Sequence, residues 1–124
     1  LKVALDFTNE WKDLTGTELV QGCIIARKAF IEDHPVAVEN FLKAYEISVS
    51  TLNSDAEKAA ANVVTAGIAA NAELVKKALP RCNITFLTGK EMKKDVSAML
   101  NVLFTANADS IKGKLPEKEQ DWKN

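Results

Sequence analysis

The sequence predicts a helix-rich α/β fold, with two or three short strands and about five helices. Three observations point to it. Leu1, Val3, Leu5 and Phe7 alternate with Lys2, Ala4 and Asp6, the period of two that marks a half-buried strand. Val38, Phe41, Leu42, Tyr45, Val49 and Leu52 recur three and four residues apart, the spacing of an amphipathic helix. Two short runs, 19–26 and 82–87, are apolar and β-branched between turn residues. They are short for helices: the first reads as a buried strand, and the second as extended or a strand.

After the opening strand, Phe7, Trp11 and Leu14 fall at helical spacing, so a short helix is expected over 9–14. Gly16 stands where a C-terminal cap belongs. The run Leu19–Ala26 surrounds Gly22, and its apolar centre Cys23–Ala26 reads as a buried strand. Asp33-His34-Pro35 starts the long helix, because proline at the first helical position loses no needed hydrogen bond. Ser54, with Glu57 three residues on, forms a capping box for a helix over 56–66 that Gly67 ends. Asn71 caps a shorter helix that stops before Pro80. Thr88 and Glu91 make a second capping box, and Met92, Val96, Met99, Leu100, Leu103 and Phe104 line one face of the last helix to about Ala106. Loop through Gly113 and Pro116 and a charged tail over 117–124 close the chain.

A chain of 124 residues is one domain by length. Its formal charge of −1, with lysines scattered among acids and no aromatics interleaved, gives no reason to expect nucleic acid or an anionic membrane as partner. The apolar runs fall far short of the roughly 20 residues of a membrane span. Cys23 and Cys82 leave two readings: two small buried hydrophobes, or one disulfide across a long loop, which an exported protein would permit. Two distant cysteines and one histidine cannot make a metal site.

No catalytic constellation emerges, and the chain is expected not to be an enzyme. His34, the only imidazole, has no nucleophile nearby in sequence and reads as a capping or surface residue. Glu10, Asp13, Glu32 and Asp33 belong to helix ends and solvated faces. Met92 and Met99 are core filling. Gly16-Thr-Glu-Leu-Val-Gln-Gly22 is not a phosphate loop, because the glycine spacing and the Lys-Ser/Thr ending are missing. Arg27, Lys28 and Arg81 could hold an anionic group, but an arginine at a strand end is an ordinary surface residue. Trp11 reads as packing against Phe7 and Leu14, and Trp122 as exposed or docked on a neighbouring molecule.

The run from Leu14-Thr-Gly-Thr-Glu-Leu-Val-Gln-Gly-Cys23 through Asp33-His-Pro35 to Phe41-Leu42 resembles the late part of solute-binding proteins of ABC transporters. The branch is that serving nitrate, sulfonates, taurine and thiamine precursors. Ala4-Leu-Asp-Phe-Thr-Asn-Glu-Trp11, Ala78-Leu-Pro-Arg-Cys-Asn-Ile84 and Asp109-Ser-Ile-Lys-Gly-Lys-Leu-Pro116 resemble the flanking pieces of the same family in the same order. The resemblance implies part of a periplasmic-binding-protein-like lobe: strand, helix and hinge strand over 1–27, the helical part of a lobe over 28–116, and the tail. It implies a hinge at Gly22, Cys23 and Ile24, with Gln21, Gly22 and Cys23 nearest the ligand. Where the family often has Pro-Met, this chain has Val20-Gln21. No cofactor follows from it.

On this reading the chain is the C-terminal segment of a substrate-binding component. It takes a small solute in a cleft between lobes and delivers it to the membrane permease subunits. The protein is expected outside the cytoplasm, periplasmic or lipid-anchored, with its signal segment and other lobe upstream. Helices built to cover a sheet would expose apolar faces in the isolated segment, which favours self-association. Two other readings stand beside it: a pyrimidine-precursor biosynthesis enzyme on the same lobe architecture, and a helical protein-interaction module.

Overall fold

The computed structural model describes residues 3–116. Among them the fold is all-α: six α-helices and two short 3-10 turns, with no strand. The helices are α1 (Phe7–Thr15), α2 (Lys28–Asp33), α3 (Pro35–Ser54), α4 (Ala56–Thr65), α5 (Ala72–Ala78) and α6 (Gly89–Ala106). The 3-10 turns cover Leu79–Arg81 and Ala108–Ile111.

The α/β expectation is therefore corrected at each of the three segments. Residues 3–6, 18–27 and 83–88 have no regular secondary structure. A strand exists only when a neighbour supplies the other half of its hydrogen-bond ladder, and none of these segments has one. The 82–87 run is also interrupted from within. Cys82 closes the preceding 3-10 turn with its N–H on the Leu79 carbonyl at 3.0 Å, and Asn83 has a left-handed φ of 49°. Asparagine tolerates that region better than most residues, and it breaks an extended run.

The chain divides into two compact units. One is contiguous, Ile25–Phe86; the other joins the chain up to Ile24 with the chain from Leu87 onward. The backbone thus passes between units twice, at 24/25 and at 86/87.

The contiguous unit holds every buried apolar side chain among the described residues: Val38 and Val49 of α3, Ala59 and Ala60 of α4, and Leu79. Here α3 packs on α2 and α4, α4 on α5, and the Leu79 turn on both α3 and α5. The alanines keep α4 slim on its buried side. Phe41 stacks on Tyr45 one turn later at 5.9 Å, and Tyr45 meets Phe86 edge-on at 5.8 Å. Asn53 donates its amide to the Ile84 carbonyl at 3.1 Å. Side chains, not a ladder, tie residues 84–86 to α3.

Several caps fall as the sequence predicts. Pro35 opens α3, Asn71 Oδ1 accepts the Leu74 N–H at 3.1 Å, and Gly16 ends α1 at φ +66° with its N–H on the Lys12 carbonyl. The two capping boxes do not form. Ser54 is the last residue of α3 and hydrogen-bonds back to the Ser50 carbonyl. Asp55 caps α4 instead, accepting from the Lys58 N–H at 3.0 Å. Thr88 precedes α6 without a side-chain cap bond. The helix α2 and the 3-10 turn at Ala108–Ile111 were not expected from the sequence, and α1 reaches further at both ends.

In the other unit α6 packs on the Ala108–Ile111 turn. Met92, Val96, Met99, Leu100 and Leu103 of its apolar stripe are only half-buried. The most deeply buried side chain there is polar: Asp95 is 3% exposed.

Candidate functional site

The segment expected to meet a ligand begins with a turn that is built locally. Gly16 takes the left-handed conformation, and the Thr15 hydroxyl donates to the Trp11 carbonyl at 2.8 Å. The Thr17 hydroxyl lies 2.7 Å from that of Thr15 and accepts the Trp11 indole N–H at 3.1 Å. A Thr-Gly-Thr sequence is suited to this: two short hydroxyls flank a residue free to turn. The result orients the half-buried Trp11 ring.

Beside this ring lies an open groove of about 390 Å³. Phe7, Trp11 and Leu14 of α1, Leu19, and Met99 of α6 make its apolar wall, with Glu10 and Gln21 as its polar members. The size is that of a small-ligand pocket, but Phe7 and Leu14 are 69% and 84% exposed. The groove can take the flat apolar part of a ligand against an indole and a carboxylate; it does not enclose one.

Of the residues expected at the ligand, Gln21 lines this groove, while Gly22 and Cys23 do not. Residues 21–27 are all exposed, and no backbone hydrogen bond joins residues 18–26 to any described residue. Nothing lies within 4 Å of where a Cβ on Gly22 would stand, and its φ is not in the left-handed region. No close approach or turn requires glycine there. Gly22, Cys23 and Ile24, which the resemblance names as a hinge, end just where the chain leaves the first unit.

Both cysteines are free and exposed, which overturns the reading of Cys23 and Cys82 as buried hydrophobes. The reason for Cys23 is that its run is not a sheet strand; Cys82 sits at the open end of a turn, its thiol on the Ala78 carbonyl at 3.4 Å. His34 joins α2 to α3 and sets its ring 4.9 Å from that of Phe30. Arg27 begins α2 without a side-chain cap bond, and Lys28 meets Glu32 at 3.9 Å. Arg81 is exposed. Trp122 lies outside the described residues.

Lys12 pairs with Glu18 across the turn. The hydrogen bond that Lys12 donates to Glu18, then the Glu18 charge and more weakly that of Asp95, raise the Lys12 pKa above its ordinary value. Asp95 is the residue that sequence reasoning missed. Its signal was present: positions 92, 95, 96 and 99 follow helical spacing, which puts Asp95 on the apolar stripe. Among the described residues no group of three or more His, Cys, Asp or Glu side chains could hold a metal ion. No helix among them is long and apolar enough to cross a membrane.

No protein-family model matches the chain, and neither the curated proteins nor the solved structures contain a significant match to it.

Proposed function

We propose that the chain serves as a solute-binding component of an ABC importer, taking up a small solute non-covalently and presenting it to membrane permease subunits outside the cytoplasm. The observation that supports this most is the connectivity. A contiguous unit is inserted into a second one, with two passages between them, and the first passage follows the residues that the resemblance names as a hinge. Two units joined by a pair of crossings can open and close about them, and a ligand favours the closed state by its extra contacts there. Gln21, in the same groove as the oriented Trp11, is the polar contact of this reading.

The test is native mass spectrometry and calorimetry on the gene product as it occurs in its source cells. Nitrate, bicarbonate, taurine, an alkylsulfonate and an aminopyrimidine are the solutes to compare. The expected result is saturable binding of one class, weakened about tenfold by Gln21→Ala, the loss of one good hydrogen bond to a ligand. Absence of saturable binding to every solute overturns the reading.

One observation favours a second reading. The described residues contain no strand, and Phe41, Ile47, Val36 and Ile68 of the contiguous unit are exposed, as suits a helical protein-interaction module. Protein capture without solute binding would select it.

A further inference from the structure

Among the described residues, one long stretch without hydrogen-bonded backbone is also β-prone. Residues 18–26 join no described residue by a backbone hydrogen bond, and Gly22-Cys-Ile-Ile-Ala26 carries no charge. Ile24 and Ile25 are 54% and 87% exposed. Adjacent residues of a strand face opposite ways, so in an extended pairing the two exposed isoleucines would supply an apolar side chain to each face. A run of free N–H and C=O groups with β-branched side chains is a template for another strand. Its charges say which strand. Glu18 stands at one end and Arg27-Lys28 at the other. Two copies running antiparallel set each acidic end against the other's basic end, whereas a parallel pair would place like beside like.

We propose that two copies of this chain pair antiparallel through residues 19–27, about a two-fold axis at Cys23, with Lys28 already entering α2 at the edge of the pairing. In this register Leu19 faces Arg27, Val20 faces Ala26, Gln21 faces Ile25, Gly22 faces Ile24, and Cys23 faces its own copy, while Glu18, which pairs with Lys12 within its own copy, comes to the Arg27-Lys28 end of the other. A two-fold contact of this kind is self-complementary and closes at the dimer. The pairing is a property of this chain alone and does not rest on the solute-binding reading.

The register gives the experiment its reporter, because residues directly opposite across an antiparallel pair come within disulfide reach. Cys82→Ser leaves Cys23 as the only thiol, and Cys23→Ser leaves Cys82, which is also exposed. Under diamide without solute, the Cys23 form is expected to cross-link about tenfold or more faster than the Cys82 form, since pairing raises the effective thiol concentration. Light scattering is expected to show a concentration-dependent dimer of the unmodified chain. Ile25→Lys and Glu18→Lys should each abolish it, and adding Lys28→Glu to Glu18→Lys should restore it, with helix content by circular dichroism unchanged throughout. A monomer at every concentration, equal cross-linking of the two single-thiol forms, or failure of the charge swap to restore the dimer overturns the proposal.

Discussion

Glu39 and Lys43 stand one helical turn apart on α3, their charged atoms 2.6 Å from each other. The hydrogen bond from Lys43, and then its charge, hold the Glu39 carboxyl below the usual carboxylate range. A carboxyl whose pKa is lower folded than unfolded adds stability above the unfolded pKa and loses it as pH falls through the folded one. Glu39→Gln should therefore lower stability slightly from neutral to mildly alkaline pH and flatten the acid limb, the two proteins converging at low pH where Glu39 is protonated. Urea unfolding from neutral pH down to about pH 3 checks this, and because both groups are exposed, high salt should shrink the difference. Lys12 carries the opposite sign: its raised pKa supports stability below the unfolded pKa and loses it as pH rises through the folded one. Such local pairs are legible in sequence, since Glu39 and Lys43 are four apart on a predicted helix. Asp95 was legible only as a position on a stripe. That a carboxylate would be the most buried side chain of its unit depends on what surrounds it, which spacing does not encode.

At the level of the element, caps decide more than propensity does. Asn71 and Thr88 both precede helices, but Asn71 accepts a backbone N–H and the Thr88 side chain makes no cap bond. Asn71→Ala is thus expected to cost about 1 kcal/mol, as caps of this type do, and Thr88→Ala distinctly less; thermal melts of the two variants side by side check the contrast. Helix starts at Pro35 and Asn71 and the stop at Gly16 were readable because each needs only its own few residues. The strands were not. Alternation at 3–7 and β-branching at 19–26 show that a segment suits a sheet, while a ladder requires a second segment at hydrogen-bonding distance. Without one, the same residues remain irregular, and the apolar side chains prepared for burial stay exposed.

For the molecule as a whole, apolar burial is uneven. Among the described residues all five buried apolar side chains lie in Ile25–Phe86, while the discontinuous unit buries Asp95 and otherwise half-covers its apolar stripe. This division could not be read from periodicity, because it depends on which distant segments touch. The unbonded run 18–26 has a consequence for how the chain meets a protease. Endopeptidases seat a substrate as an added extended strand, so they favour exposed backbone that has no prior hydrogen bonds to give up. Arg27 follows that run directly and supplies the basic side chain trypsin requires. In the monomer, at concentrations too low for pairing, the first tryptic cut is expected after Arg27, ahead of the lysines within α3–α6, and peptide mapping of a brief digest checks it. Such a cut detaches one part of the discontinuous unit from the other, leaving packing alone to keep α1 beside α6. Whether the released N-terminal piece then stays bound or elutes alone becomes a direct gauge of how firmly that unit coheres.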